Sequence, residues 1–293
     1  MANPQMRFPP AKPPRNPNVL STWIDRYAAQ EGAAPERVRR ALAFEFCIAA
    51  FTRGHSADDP RIIVTGGVAM ELRLRDTARA TKDIDAVLRD TEPDRIEAYV
   101  DSALSEPLLD GLVSFRIAGQ QPIGPTSATR FDIRVLYQDR SFAKIRLEVS
   151  AAHPDDSSWD AVPPMDIAPT LGVDVGLAAV PCLSIQDQIA QKIHAVTDPH
   201  ENNDRYRDLI DLILLDGLRA AEDHVVLDAC KQVFVLRDRH AWPPEVVVRD
   251  GWPNGYAQLA SDSSFEPADV EAAATLVQQI IDRIASAAGP SGD

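Results

Sequence analysis

Cysteine is scarce in this sequence, and its three positions, Cys47, Cys182 and Cys230, lie far apart among apolar neighbours. No CxxC pair and no nearby histidine accompanies them, which excludes a zinc-ligand pattern and leaves three expected buried thiols. Long apolar runs are missing as well. The stretch from Ala41 to Phe51 is broken by Glu45 and is too short to span a bilayer. Met1 to Ser21 has no apolar signal core; it carries Pro4, Pro9, Pro10, Pro13, Pro14 and Pro17 and reads as a disordered or extended tail. A cytoplasmic protein with no membrane partner is the expectation. Positive charge is the third deficit, with 30 Lys and Arg against 44 Asp and Glu and a formal net charge of -14. Phosphate binding is driven by Lys and Arg, so a protein that wraps nucleic acid over its whole surface is excluded. Any nucleic-acid contact must be local. Two segments offer the charge for one: Arg73, Arg75, Arg79 and Lys82, and Arg134, Arg140, Lys144 and Arg146.

What is present is the composition of a soluble globular protein, 45% hydrophobic and 25% charged over 293 residues. That length allows one large domain or two of ordinary size. Apolar residues at helical spacing predict helices over Asn18 to Gln30 and Pro35 to Thr52. The β-branched run Ile62-Ile63-Val64 then meets Thr65-Gly66-Gly67, a strand entering a glycine turn that introduces a helix near Val68 to Arg73. Thr77 to Lys82 reads as a loop delivering a second strand, Asp83 to Leu88, and Pro93 to Leu109 reads as a helix. Alternation predicts strands over Phe131 to Tyr137 and Phe142 to Ser150, joined by a hairpin at Gln138 to Ser141. Ala151 to Pro181 reads as an irregular connection, and Leu183 to Ala288 as largely helical. The expected organisation is a tail over 1–20, a core with N-terminal helices over 21–182 and a helical domain over 183–293. The fold class is α+β, a small mixed sheet with a largely helical C-terminal half.

Asp83-Ile84-Asp85 is the single D-x-D of the sequence. Strand alternation puts both carboxylates on one face, where they can bridge one or two divalent cations. The setting adds to the pair. Glycines at a strand-to-helix turn let backbone N–H groups approach a phosphate, and the next strand returns Asp83 and Asp85 toward Gly66 and Gly67. A third acidic ligand is wanted. Glu148 fits if the strand Ile145-Arg146-Leu147-Glu148-Val149 neighbours the Asp83 strand, with Asp132 as the rival. Lys192 lies beside an apolar stripe of Ile185, Ile189, Ile193 and Val196, where its charge could pair with a phosphate. Asp211, on one face with Arg207, could orient an arginine or Lys192.

Four blocks in order carry a resemblance: Val64-Thr65-Gly66-Gly67, Arg79-Ala80-Thr81-Lys82-Asp83-Ile84-Asp85, Gln188-Ile189-Ala190-Gln191-Lys192-Ile193-His194-Ala195 and Asp204-Arg205-Tyr206-Arg207-Asp208-Leu209-Ile210-Asp211-Leu212. Together they resemble the AbiEii nucleotidyltransferase toxins, and among these the mycobacterial MenT group. The resemblance implies a polymerase-beta-like nucleotidyltransferase core. It implies a toxin with a cognate antitoxin, moving a nucleoside monophosphate, often a pyrimidine, from a nucleoside triphosphate to the tRNA 3′ end and so blocking aminoacylation. Two Mg2+ ions would serve as cofactors. By position, Asp83, Asp85, Lys192 and Asp211 would be catalytic, Gly66, Gly67, Thr81 and Lys192 would meet the nucleotide, and Asp83, Asp85 and Glu148 would hold metal. Thr65 and Val68 depart from the pattern, since relatives often place a basic residue before the glycines and a small hydroxyl residue after them. Thr81 stands where some relatives have a serine that a kinase-like antitoxin phosphorylates. Two other activities fit the same residues: nucleotidylation of a protein side chain, or silent binding of a partner.

Overall fold

The computed structural model describes residues 12–56, 58–75, 78, 81–124, 128–152, 158–218, 220–263 and 265–287. It divides into two compact units, one drawn from 1–73, 80–153 and 161–182 and the other from 74–79, 154–160 and 183–293.

In the first unit, α1 (Pro17–Gln30) starts where Asn16 accepts a hydrogen bond from Asn18 N at 2.9 Å and Pro17 fills the first turn. This start lies inside the stretch read as a tail. Pro14 is buried there too, its carbonyl accepting from the Tyr137 hydroxyl at 2.6 Å; residues 1–11 fall outside the described set. Helix α2 (Pro35–Thr52) is buried along most of its second half. Glu45, which interrupts that apolar run, is 4% exposed. Its carboxylate accepts from Ile167 N at 3.2 Å and Ala168 N at 2.8 Å, the first amides of the single turn α5 (Ile167–Thr170), so a helix N-terminus satisfies the charge.

The strands are β1 (Ile62–Thr65), β2 (Asp83–Leu88), β3 (Val113–Ile123), β4 (Ala128–Tyr137), β5 (Arg140–Ala151), β6 (Trp159–Val162) and β7 (Val180–Leu183). They form one seven-stranded mixed sheet in the order β3-β4-β5-β2-β1-β7-β6. β1 runs antiparallel to β2 and parallel to β7, β2 runs parallel to β5, and β3, β4 and β5 form an antiparallel meander. Helix α3 (Gly66–Leu74) connects β1 toward β2, and α4 (Ile96–Ser105) covers one face of the meander with α2. The helix read from Val68 begins two residues earlier, with the glycines as its first residues.

Three strands escape the alternation reading. β3 is an edge strand, and Pro122 is tolerated because its nitrogen side need not pair outward. A register shift between Ile117 and Gly119 also breaks its period. β6 and β7 occupy the stretch read as irregular. β7 is Val-Pro-Cys-Leu, buried at all four positions, so no alternation exists to read.

The second unit contains α6 (Ile185–Thr197), α7 (Tyr206–Leu218), α8 (Asp223–Arg237), α9 (Trp252–Ser263) and α10 (Val270–Ala285). Ser184 caps α6, accepting from Asp187 N and donating to the Asp187 carboxylate at 2.6 Å; Ser158 also donates to that carboxylate, and Asp160 accepts from Ile185 N at 2.9 Å. Val270, Ala273, Val277, Ile281 and Ile284 form the buried stripe of α10, whose contacts are with α7, α8 and α9. All three cysteines are buried and unbridged, and burial pushes the Cys230 thiol up to about 12. Among the described residues no helix is long and apolar enough to cross a membrane.

Candidate active site

Register lays out the open face of the sheet. Asp83 lies opposite Arg146, and Asp85 lies opposite Glu148 on one side and Thr65 on the other. β5 is therefore the neighbour of β2, the arrangement that a Glu148 partnership with the aspartates requires. Asp132 is one strand further out, opposite Arg146. Alternation keeps Ile84 in the core at 1% exposure, while Asp83 and Asp85 are half-buried on the other face.

The glycine pair fits this face closely. Gly66 has φ +57, in the left-handed region, and a β-carbon there would collide with the Asp85 carboxylate, its Cγ only 2.8 Å away. A β-carbon at Gly67 would come within 2.8 Å of the Thr81 β-carbon. The two glycines thus bring backbone against the carboxylate and Thr81, where any side chain would displace them. Thr81 is 9% exposed; its amide donates to Glu71 Oε1 at 2.9 Å and its hydroxyl approaches the Asp83 carbonyl at 3.4 Å. Arg79 lies outside the described residues.

Glu71 and Arg130 were not legible as site residues. Glu71, the one acidic residue of α3, is buried at 5% exposure and fixes the start of the Asp83 segment through Thr81. Its place as the single acidic residue in a short apolar segment was the available signal. Arg130 donates through Nε at 2.8 Å and Nη2 at 2.7 Å to one oxygen of Glu148. Arg146 Nη1 meets Asp83 Oδ2 at 3.5 Å, a looser contact with both side chains more than a third exposed. The expected trio is consequently not gathered: among the described residues no three His, Cys, Asp or Glu side chains converge as metal ligands. Arginines on the adjoining strands compete for the acidic oxygens.

Asp83 and Asp85 still fit a small hard cation. Mg2+ takes oxygen ligands and is commonly held by one or two carboxylates together with substrate phosphates.

Lys192 and Asp211 belong to the second unit and lie together. Lys192 Nζ donates to Asp208 Oδ1 at 2.7 Å and Asp211 Oδ2 at 2.6 Å, tying α6 to α7. The aspartates are 8% and 1% exposed in their side chains. Burial by itself lowers the Lys192 ammonium, but Asp208 and Asp211 outweigh it and hold the pKa above the usual lysine value. Asp208 was not picked out beforehand. Its place one helical turn before Asp211 was the sequence signal.

The solved structure of MenT4, a nucleotidyltransferase toxin from Mycobacterium tuberculosis H37Rv, is similar to this chain with a TM-score of 0.58 and 17% identity, covering 92% of this chain and 90% of MenT4. That likeness is one of fold. ANT(2″)-Ia in complex with adenylyl-2″-tobramycin aligns at a TM-score of 0.38 and 16% identity over 68% of this chain and 98% of its own. An antigenic nucleotidyltransferase-like protein from Paracoccidioides brasiliensis aligns at 0.36 and 12% over 60% and 80%. No curated protein sequence gives a match. The model of the nucleotidyl transferase AbiEii toxin family, of type IV toxin–antitoxin systems, matches residues 49–280, which include both the Asp83-Asp85 face and the Lys192 cluster. The chain belongs to the AbiEii family of nucleotidyltransferase toxins.

Proposed function

We propose that this toxin transfers a nucleoside monophosphate, with a pyrimidine preferred, from a nucleoside triphosphate to the 3′ hydroxyl of tRNA, and so stops aminoacylation in the cytoplasm. The observation that carries the reading is the meeting of Asp85 with Gly66 on the sheet face that also bears Asp83. In the reaction the 3′ oxygen attacks the α-phosphorus, the bond from that phosphorus to the α–β bridging oxygen breaks, pyrophosphate leaves and the hydroxyl proton passes to solvent. Two Mg2+ ions, when bound, lower the hydroxyl pKa and offset the charge of the leaving group.

The chain's own residues do the positioning. Asp83 and Asp85 would hold the metal, and the amides at Gly66 and Gly67 are open to the phosphates without a side chain in the way. Glu148, which Arg130 holds here, would be the third ligand. The family resemblance implies a triphosphate contact for Lys192, and Asp211 with Asp208 orients its ammonium. A cognate antitoxin restrains the toxin, and a kinase acting on Thr81 is the form proposed here. Phosphate on that hydroxyl would place about two negative charges next to Asp83 and repel the triphosphate. Because Thr81 is buried, the kinase must meet it in a form that exposes its hydroxyl.

Incubating the protein with each of four labelled triphosphates, Mg2+ and either bulk tRNA or total cell protein tests the proposal. Label on tRNA, greatest with CTP or UTP and absent with EDTA, is the expected result. Label confined to protein, or no label with any triphosphate, overturns it.

A further inference from the structure

Beyond the Asp83 row the open face of the sheet becomes basic. Arg116 on β3, Arg134 on β4 and Lys144 on β5 are direct cross-strand partners, Arg116 opposite Arg134 and Arg134 opposite Lys144. All three are exposed, and among the described residues none forms an ion pair. Like charges directly opposite one another destabilise a sheet. Three in a line, in a chain of net charge -14, form a local positive strip that attracts anions despite the overall field.

The strip leads toward the aspartates. A groove of about 510 Å³ is lined by Lys82, Asp83, Asp132, Arg134, Lys144 and Arg146. Arg146 lies between Asp132 and Asp83 in register, which leaves its charge offset from both sides. The surplus sits in the outer row. With strands spaced by about 4.8 Å, that row extends roughly 10 Å, and it stands two residues, about 7 Å, from the Asp83 row.

We propose that Arg116, Arg134 and Lys144 are the track for the phosphodiester backbone of the RNA acceptor, holding the nucleotides just before the reacting 3′ end. This rests on the reading of RNA as acceptor. Backbone contacts fix register and carry no sequence information, so the track positions the strand while the base preference is set elsewhere. The shared groove with Asp83 favours an RNA strand over an acidic protein segment, because an acceptor has to end at the carboxylates.

The test uses the full chain and a variant combining Arg116→Ser, Arg134→Ser and Lys144→Ser, all at exposed positions. Binding of bulk tRNA and of a short single-stranded oligoribonucleotide is measured across a salt series, alongside transfer kinetics and triphosphate binding. Each lost phosphate contact on a single strand removes roughly 0.7 from the slope of log K against log salt, so the slope should fall by about 2. KM for tRNA should rise about tenfold with triphosphate binding unchanged and Tm no lower than that of the parent. An unchanged slope and KM in a variant whose parent labels tRNA would sink the track and leave the acceptor reading intact. A parent that labels only protein would sink the acceptor reading, and the track with it. Full tRNA binding by the variant, with loss only of polyglutamate binding, would assign the row to an acidic protein partner and overturn the proposal.

Discussion

Two charged clusters, one in each unit, invite comparison because both set acids against bases and yet differ in almost every physical respect. On the sheet, Asp83 and Arg146 meet at 3.5 Å with both side chains more than a third exposed. On the helices, Lys192 is clamped at 2.7 and 2.6 Å by Asp208 and Asp211, which are nearly excluded from water. An exposed pair contributes little to stability and exchanges partners readily. A buried ammonium with two carboxylates is fixed by the cost of leaving any one of them alone. The first arrangement suits a place where metal and phosphate come and go. The second suits an ammonium held at one fixed place between helices.

The sharpest way to break the comparison is to remove one charge from each cluster. Asp83→Asn should reduce nucleotide transfer by roughly a thousandfold, since a metal ligand commonly stands behind several kcal/mol of transition-state stabilisation. Its Tm should stay near that of the parent. Lys192→Met should add a loss of another kind to the loss of transfer expected at a triphosphate contact, lowering stability by about 3–5 kcal/mol because two buried carboxylates lose their partner. Denaturant titration measures it. Combining it with Asp208→Asn and Asp211→Asn should recover part of the loss, and a triple variant less stable than Lys192→Met alone would refute the view of the cluster as an ion-pair joint.

Gly66→Ala should have a smaller effect on stability, about 1–3 kcal/mol, from the left-handed backbone alone. Its consequence for transfer should be larger than that figure suggests. The new methyl would meet the Asp85 carboxylate, so metal affinity measured by titration with Mn2+ should weaken along with activity. A variant that is destabilised but binds metal normally would show that Gly66 serves the turn and not the site.

The same contrast explains what could be read from the sequence. Asp83 and Asp85 were legible because alternation along a single strand fixes their face, and β4 and β5 were legible by the same period. Arg130 on Glu148 was not, because a cross-strand partner depends on register, which the sequence of neither strand contains. β7 was silent because burial on both faces removes the alternation. Lys192 and Asp211 each stood out on their own helices, and Asp211 had two candidate partners, an arginine or Lys192. The packing of α6 on α7 decides for Lys192 and adds Asp208. Packing between helices leaves only a stripe in the sequence, not a partner.

Titration offers the gentlest test of the difference, since the helical unit carries perturbed groups at both ends of the pH scale. Lys192 has its pKa raised above 10.5. Its contribution is complete below that value, where the unfolded chain is also protonated, and is lost as pH rises through the folded value. His194 behaves oppositely. Its ring is 3% exposed and packs against Phe234 at 4.9 Å between centroids. Burial, followed by the nearby Arg237 and His240, lowers its pKa from 6.5 to about 4. Between those two values the unfolded chain binds the proton that the folded chain refuses, so stability is complete above 6.5 and declines as pH falls toward 4. Tm measured from acid to alkaline pH should therefore fall at both ends. His194→Phe should flatten the acid limb and Lys192→Met the alkaline one, whereas Asp83→Asn should leave both limbs in place. If Asp83→Asn flattened either limb, the sheet face would be contributing to stability as the helices do, and the contrast between a labile site and a fixed joint would fail.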